Sequence, residues 1–391
     1  MKEIKISLTF RIITSLLILV GIGTFIFGFS IDPQRTWANY LINNYYFLSV
    51  SIGAAFFLAI QYISKSGWSA GFKRVPEAIM MYIPFAAIFF ILIYFGMHDL
   101  YHWSNEEFVA HDTLLQHKIS FLNIPFFFLR MVLIFTLWII FIFLLRKFSL
   151  KEDIQDPGNE ADIARLFEKS ELFSKIFIFI LAISFTISTI DWIMSIDVHW
   201  YSTIFALKNF IAAFLHGVTI IVLILFILNK KGYFPFLNEY HLHDFSRYIF
   251  MLAIVWGYFW FAQFMIIWYG NIPEETSYYY FRWQNGWKTL FFIDIAINWA
   301  IPFIILLPVK TCRNMAVISI VIFCLIIGQY IDLYLQIIPG TTGILKFGWI
   351  EAGIFIGYTG LFALIVTTAL SKAKLVPPNH PFIEESLNHH F

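Results

Sequence analysis

Seven ionisable side chains stand inside otherwise apolar runs of this chain: Arg130, Asp191, Lys208, His216, Asp294, Asp332 and Glu351. A charge placed in hydrocarbon costs roughly 2.5–3.5 kcal/mol on insertion scales, so each needs a structural or functional reason. Two kinds of chemistry fit these residue types. Opposite charges can tie helices together, Arg130 to Asp191 and Lys208 to Asp294 or Asp332. Alternatively, carboxylates, an imidazole and cations at one depth can form a polar layer that exchanges protons or holds a headgroup. All except His216 fall in the outer half of their runs, and His216 falls near the middle. Ser184, Ser188, Asp191 and Ser195 recur at spacings of 4, 3 and 4, which puts them on one face of a helix. Hydroxyls with water can relay a proton to a buried carboxyl. Serine is equally a small residue suited to helix contacts. The candidates for a proton path are therefore Ser184, Ser188, Asp191, Lys208, His216, Arg130, Asp294 and Asp332. Its inner mouth is sought at Glu77 or at His241–Asp244, with a solvated loop as the plainer expectation for both.

Redox chemistry on the chain itself is not expected. The two cysteines, Cys312 and Cys324, form no CxxC, which excludes a Cys-ligated iron–sulfur cluster and a c-type haem. Cys324 reads as a small apolar residue. A membrane haem b needs two facing histidines well inside the helices, and only His216 is deep. His98, His102, His111 and His117 share one outer loop at spacings that match no metal pattern, so no metal is expected there.

These residues must be positioned by membrane helices. Of the 391 residues, 60% are hydrophobic and 13% charged, far too apolar for a soluble core. Ten apolar runs are long enough to span a bilayer, near 10–30, 43–63, 77–97, 121–146, 173–196, 202–229, 245–269, 287–309, 315–338 and 348–371. Nineteen lysines and arginines flank one set of run ends and five the other, with Arg130 and Lys208 inside. That asymmetry predicts both termini in the cytoplasm. The first run lacks a small-residue cleavage site and reads as an anchor. The predicted fold is all-α and polytopic, one integral membrane domain over residues 1–391, with a cytoplasmic tail over 372–391 that reads as an extended arm.

A tandem repeat runs through it. "FLSVSIGAAFF" from Phe47 parallels "FALKNFIAAFL" from Phe205, and "IYFG" ending at Gly96 parallels "IWYG" ending at Gly270. "FFLR" ending at Arg130 parallels "FFID" ending at Asp294, and Ile190-Asp191 parallels Ile331-Asp332. The copies are four helices apart and so share one orientation. The expectation is two four-helix bundles, helices 2–5 over 43–196 and helices 6–9 over 202–338, with helices 1 and 10 outside. Parallel repeats differ from the inverted repeats common in ion-coupled transporters. Pro84, Pro125 and Pro302 can kink helices, but no paired Gly/Pro interruption marks a transporter site. An autonomous secondary transporter is the alternative from another class.

Run 7 carries a resemblance. "HLHDFSRYIFMLAIVWGYFWFAQFMIIWYGNIPEE", His241 to Glu275, resembles the polysulfide-reductase membrane subunit (NrfD-like) family. The whole chain is similar to the smaller of the two such subunits of bacterial alternative complex III. In run 7, Trp268 and Tyr269 suit an interfacial belt, Pro273 ends the helix, and Glu274 and Glu275 mark the outer rim. The resemblance implies the bacterial cytoplasmic membrane and a complex that oxidises menaquinol. Electrons then pass through iron–sulfur clusters and c-type haems, held by other subunits, to a periplasmic carrier or an attached terminal oxidase. It implies a sister NrfD-like subunit, an iron–sulfur subunit and c-haem subunits as partners, and no nucleic acid. It implies a scaffolding and proton-conducting role for this chain, without its own redox metal. A quinol site in the chain itself is a second reading, with His98, Asp99 and Asp191 as candidates by position.

Overall fold

The computed structural model describes residues 4–284 and 286–390, so Lys2 and Phe391 of the sequence reading lie outside the described residues. Among the described residues, ten helices are long and apolar enough to cross a membrane: α1 (Leu8–Ile31), α2 (Pro33–Ile63), α3 (Ala70–Leu100), α4 (Ile124–Glu152), α5 (Glu160–Ile196), α6 (Thr203–Lys230), α7 (Glu239–Gly270), α8 (Trp287–Leu306), α9 (Met315–Ile337) and α10 (Trp349–Ser371). The protein is a multi-pass, all-α membrane protein. The end at which α1 begins and α10 finishes is called proximal below, and the other distal.

Neighbour relations resolve into two rings. α2 packs on α3, α3 on α4, α4 on α5 and α5 on α2; α6 packs on α7, α7 on α8, α8 on α9 and α9 on α6. The rings meet chiefly along α2 and α6. That seam is closest where a Cβ on Gly53 would stand 2.0 Å from the Ala213 carbonyl and one on Gly217 would stand 2.4 Å from the Gly53 backbone. Only glycine admits such approach, which substitutes packing for the hydrophobic drive that lipid removes. α1 and α10 form an antiparallel pair outside the rings, with Gly21 against Gly357 and Thr24 against Gly353.

The helices outrun their apolar cores. α2 begins at Pro33, ten residues before the expected 43, and α5 begins at Glu160 rather than 173. Pro33 sits in the first turn, where its missing N–H costs nothing, and the Asp32 side chain caps the Arg35 amide. The extension carries Arg35 and Asn39, which an apolarity scan rejects, yet both are buried.

The proximal face departs most from expectation. Glu77 was expected in a solvated loop but is 0% exposed, and His241 and His243 are also buried. Arg74 joins Glu77 and Asp153, the Ser149 hydroxyl donates to Glu77 Oε1 at 2.5 Å, and Lys73 reaches Glu152 at 2.7 Å. The tail is a clasp rather than an extended arm. Asn379 donates to the carbonyls of Glu152 and Gln155 in the first ring, and His380 packs on Tyr62, Phe167 and Phe382. Ser386 bonds Trp68 and Gly71, His241 donates to the Ser386 carbonyl, and His389 Nε2 lies 2.8 Å from Asp244 in the second ring. A chain that buries polar groups beneath a lid reads in sequence like loop on loop.

The clasp makes a pH prediction. Burial, with Lys73 and Arg74 nearby, holds the His380 imidazole well below its usual value, so it is neutral when folded. The unfolded chain takes up that proton below about pH 6.5, so this stability is present above that pH and is lost as pH falls. The melting temperature in mild detergent is expected to drop between neutral pH and pH 5.5, with a shallower slope in His380→Asn. Equal slopes in the two proteins would remove His380 as the cause.

Candidate functional site

The distal half of the second ring holds a buried polar cluster, and its form follows from Pro302. Proline cannot donate to the carbonyl four residues back and its ring crowds that position. Immediately before it α8 widens into a π-helical turn, Ala296–Ala300, centred on Asn298. Single π turns of this kind concentrate at functional sites. Here the turn sets Asn298 to donate to Asp294 Oδ1 at 2.7 Å and to accept from Gln329 Nε2 at 2.8 Å. Gly328 makes room, since a Cβ there would lie 2.6 Å from Asn298 Oδ1.

All four helices of the ring contribute. From α6, Lys208 pairs with Asp332 of α9 and sits over the Trp256 ring of α7 at 5.5 Å. Asp294 of α8 lies within the electrostatic reach of both Asp332 and Lys208. The ammonium is bonded to Asp332, and Asp294 holds an amide rather than a cation of its own. The stretch that ends run 7 supplies the cover. Asn271 in a left-handed conformation ends α7, and the chain re-enters helix over Pro273–Arg282. Arg282, 2% exposed, turns inward: Nε donates to the Leu335 carbonyl and Nη1 to the Tyr278 carbonyl, each at 2.9 Å, with the guanidinium 3.3 Å from the Tyr278 ring centre. Burial pushes this guanidinium down from its ordinary value, opposed by Tyr278 and Asp197.

Between cover and carboxylates lies a cavity of about 30 Å³ bordered by Lys208, Gln263, Arg282, Asp294, Asp332 and Gln336. That volume suits one or two waters. Arg282 Nη2 and both amide atoms of Gln336 are buried without a protein partner, which is the polar lining a water needs.

The first ring shows the contrasting arrangement. At the repeat-equivalent positions, Arg130 grips Asp191 with two bonds, Nε at 2.6 Å and Nη2 at 3.0 Å. Its third nitrogen, Nη1, donates to the Phe121 carbonyl at 3.0 Å, and Phe121 and Phe126 rings lie against the guanidinium. Both oxygens of Asp191 are engaged. Ser184, Ser188 and Ser195 donate to carbonyls of their own helix, and Ser184 also accepts from Trp138 Nε1 at 2.8 Å. None of these serines is brought to the Asp191 carboxylate by a hydrogen bond. His98 meets Ser104 through Nδ1 at 3.1 Å, and Asp99 is half-buried nearby on α3.

A third polar line runs along α2 and ends at the seam. Arg35 grips Glu351 bidentately at 2.8 and 2.6 Å, and Asn39 adds a bond at 2.8 Å. One turn on, Asn43 faces Tyr330, and then Tyr46 packs edge-on to His216 at 4.2 Å. The Ser49 hydroxyl donates to the Tyr46 carbonyl at 2.7 Å, so it accepts from His216 Nδ1 at 3.1 Å. That fixes the Nδ1–H tautomer and leaves Nε2 buried as an acceptor without a protein partner.

The structure thus joins Arg130 to Asp191 and Lys208 to Asp332, places Asp294 beside the latter, and sets His216 apart at the seam. The sequence reading missed Arg282, Gln263, Asn298, Gln329 and Gln336. Signals were present: Asn298 stands four residues from Asp294, and Gln329, Asp332 and Gln336 follow at three and four, one face of α9. Neither the models of known protein families nor the curated proteins give a match to this chain.

Proposed function

We propose that the chain is an NrfD-like membrane subunit of a menaquinol-oxidising electron-transfer complex, akin to the smaller such subunit of alternative complex III. It scaffolds the complex in a bacterial cytoplasmic membrane, with both termini in the cytoplasm, and exchanges protons in the distal half of its second ring. It carries no catalytic centre of its own; iron–sulfur and c-haem subunits, with a sister NrfD-like subunit, perform the electron transfer. The resemblance of His241–Glu275 supports the family, and the asymmetry of lysine and arginine supports the orientation.

One observation carries the proton role: of two carboxyls beside a water-sized polar cavity, Asp332 is paired with Lys208 while Asp294 is held by the Asn298 amide. The second carboxylate can take or release a proton without breaking the Lys208–Asp332 tie. In the first ring the equivalent pair is Arg130 with Asp191, which leaves no uncompensated charge to titrate.

The test begins with the chain tagged at its native locus and extracted in mild detergent. Co-purification of c-haem absorbance and menaquinol oxidation is expected. Asp294→Asn, which keeps the Asn298 contact geometry, is expected to leave assembly and quinol oxidation intact and to reduce protons released per electron. A colourless chain that purifies alone and monodisperse would sink the subunit reading and favour transport. Unchanged proton release in Asp294→Asn would sink the proton role while leaving the subunit reading standing.

A further inference from the structure

We infer that the cleft between α1 and α3 is a binding site for one acyl chain of a membrane phospholipid, held in the distal leaflet. α1 is fixed to α10 through Gly21 and Gly357 and also touches α2, but it does not close on α3. The gap is a cavity of about 510 Å³, within the ~300–1,000 Å³ of ligand sites. Its floor is Trp37 and Tyr40 of α2 with Tyr358 of α10, and its rims are Ile22 and Phe25 on one side, Leu92 and Phe95 on the other.

Chemistry restricts the occupant. Every lining residue belongs to a membrane-spanning segment and none is charged. Trp37 is held by the close approach of Gly96 and by edge-on contacts from Phe25, Phe29 and Tyr40, so the floor is rigid and aromatic. The rims Ile22, Leu92 and Phe95 are 51%, 39% and 74% exposed and continue into the exposed apolar flanks of α1 and α3, such as Leu19, Ile26, Ile88 and Ile91. In a multi-pass membrane protein those flanks face lipid, so the cleft opens from an existing lipid interface.

Shape decides between a chain and a helix. A partner helix would dock on small residues that let backbones approach. Here the glycines Gly21 and Gly357 are spent on the α1–α10 contact, and the rims are bulky. A flexible chain fits between such rims. The lining spans Ile18 to Phe25 on α1 and Ile354 to Leu361 on α10, about two turns or roughly 10 Å, against a leaflet of roughly 15 Å. The site therefore holds the middle of one chain and leaves the headgroup at the distal interface.

The test uses the full chain in phosphatidylethanolamine vesicles doped with a phosphatidylethanolamine bearing a diazirine on one acyl chain. After illumination, adducts are mapped by peptide mass spectrometry. Adducts concentrated on Ile22, Phe25, Leu92 and Phe95 are expected. Ile22→Trp, which fills the cleft, is expected to reduce them about tenfold, as loss of a few buried methylenes predicts. Ile26→Trp, one turn away on the lipid flank, is expected to leave them unchanged. The wild-type map stands on its own should Ile22→Trp fail to fold. Adducts spread evenly over Leu19, Ile26, Ile88 and Ile91 would overturn the site, as would cleft adducts that persist in a folded Ile22→Trp. Displacement of the cleft adducts by an isoprenoid quinone, but not by unlabelled phospholipid, would reassign the cleft to a prenyl chain.

Discussion

Lys208→Met is expected to prevent recovery of a folded, monodisperse chain. The substitution keeps most of the side-chain volume and removes one charge, but that charge is the buried partner of Asp332. Breaking a buried pair from one side costs about 3–5 kcal/mol, because the orphaned charge remains. Orphaning Asp332 within the ring puts the loss in that range, a large part of the roughly 5–15 kcal/mol by which a native protein is stable. Size-exclusion chromatography of the tagged chain, followed by thermal aggregation, measures it. Lys208→Met with Asp332→Asn and Asp294→Asn removes all three ionisable groups and is expected to recover most of the folded yield. A Lys208→Met protein as stable as wild type would show that protonation or the nearby Arg282, not the ammonium, neutralises the site.

The second large effect concerns the first ring. Asp191→Leu is expected to destabilise the chain by about 3–5 kcal/mol, since it strands the Arg130 guanidinium. Arg130→Leu should do the same to Asp191, which is 0% exposed. The double substitution should be far milder than the sum of the singles, because well-packed apolar residues can replace a buried ion pair at little cost. A double-mutant cycle on thermal stability reads the coupling directly. A relay role for Asp191 predicts otherwise: the double variant would fold and assemble yet lose proton release. With both Asp191 oxygens held by Arg130 and the helix serines bonded to their own backbone, the expected result is near-wild-type proton release in that variant.

The contrast between rings has a simple physical origin. In repeat-equivalent positions, an arginine in α4 faces an aspartate in α5, whereas an aspartate in α8 accompanies an aspartate in α9. The compensating cation of the second ring arrives from α6. A static tie in one ring and a site with a second carboxyl outside the ion pair in the other thus arise from one architecture by moving a single cation between helices.

How much of this was legible in the sequence depends on range. Hydrocarbon demands long runs of apolar residues, so ten spans and an all-α membrane protein follow from composition and hydropathy alone. The same demand flags Arg130, Asp191, Lys208, Asp294 and Asp332, because a charge in such a run cannot be accidental. The ends of spans were not legible. Arg35 and Asn39 are helical and buried only because Glu351, some 300 residues later, receives them. Glu77, His241 and the tail looked like solvated loop for the same reason.

Local chemistry, the period of the helix and the cost of burying charge therefore determined which segments cross the membrane and which residues need partners. Tertiary structure alone decided the partners. Lys208 had two aspartates on offer and took Asp332; Arg282, counted as a loop cation, closes the pocket; and residues of the tail seal the proximal face. Such choices rest on which side chains meet across helices far apart in sequence, and a charge carries no record of the distance to its counter-charge.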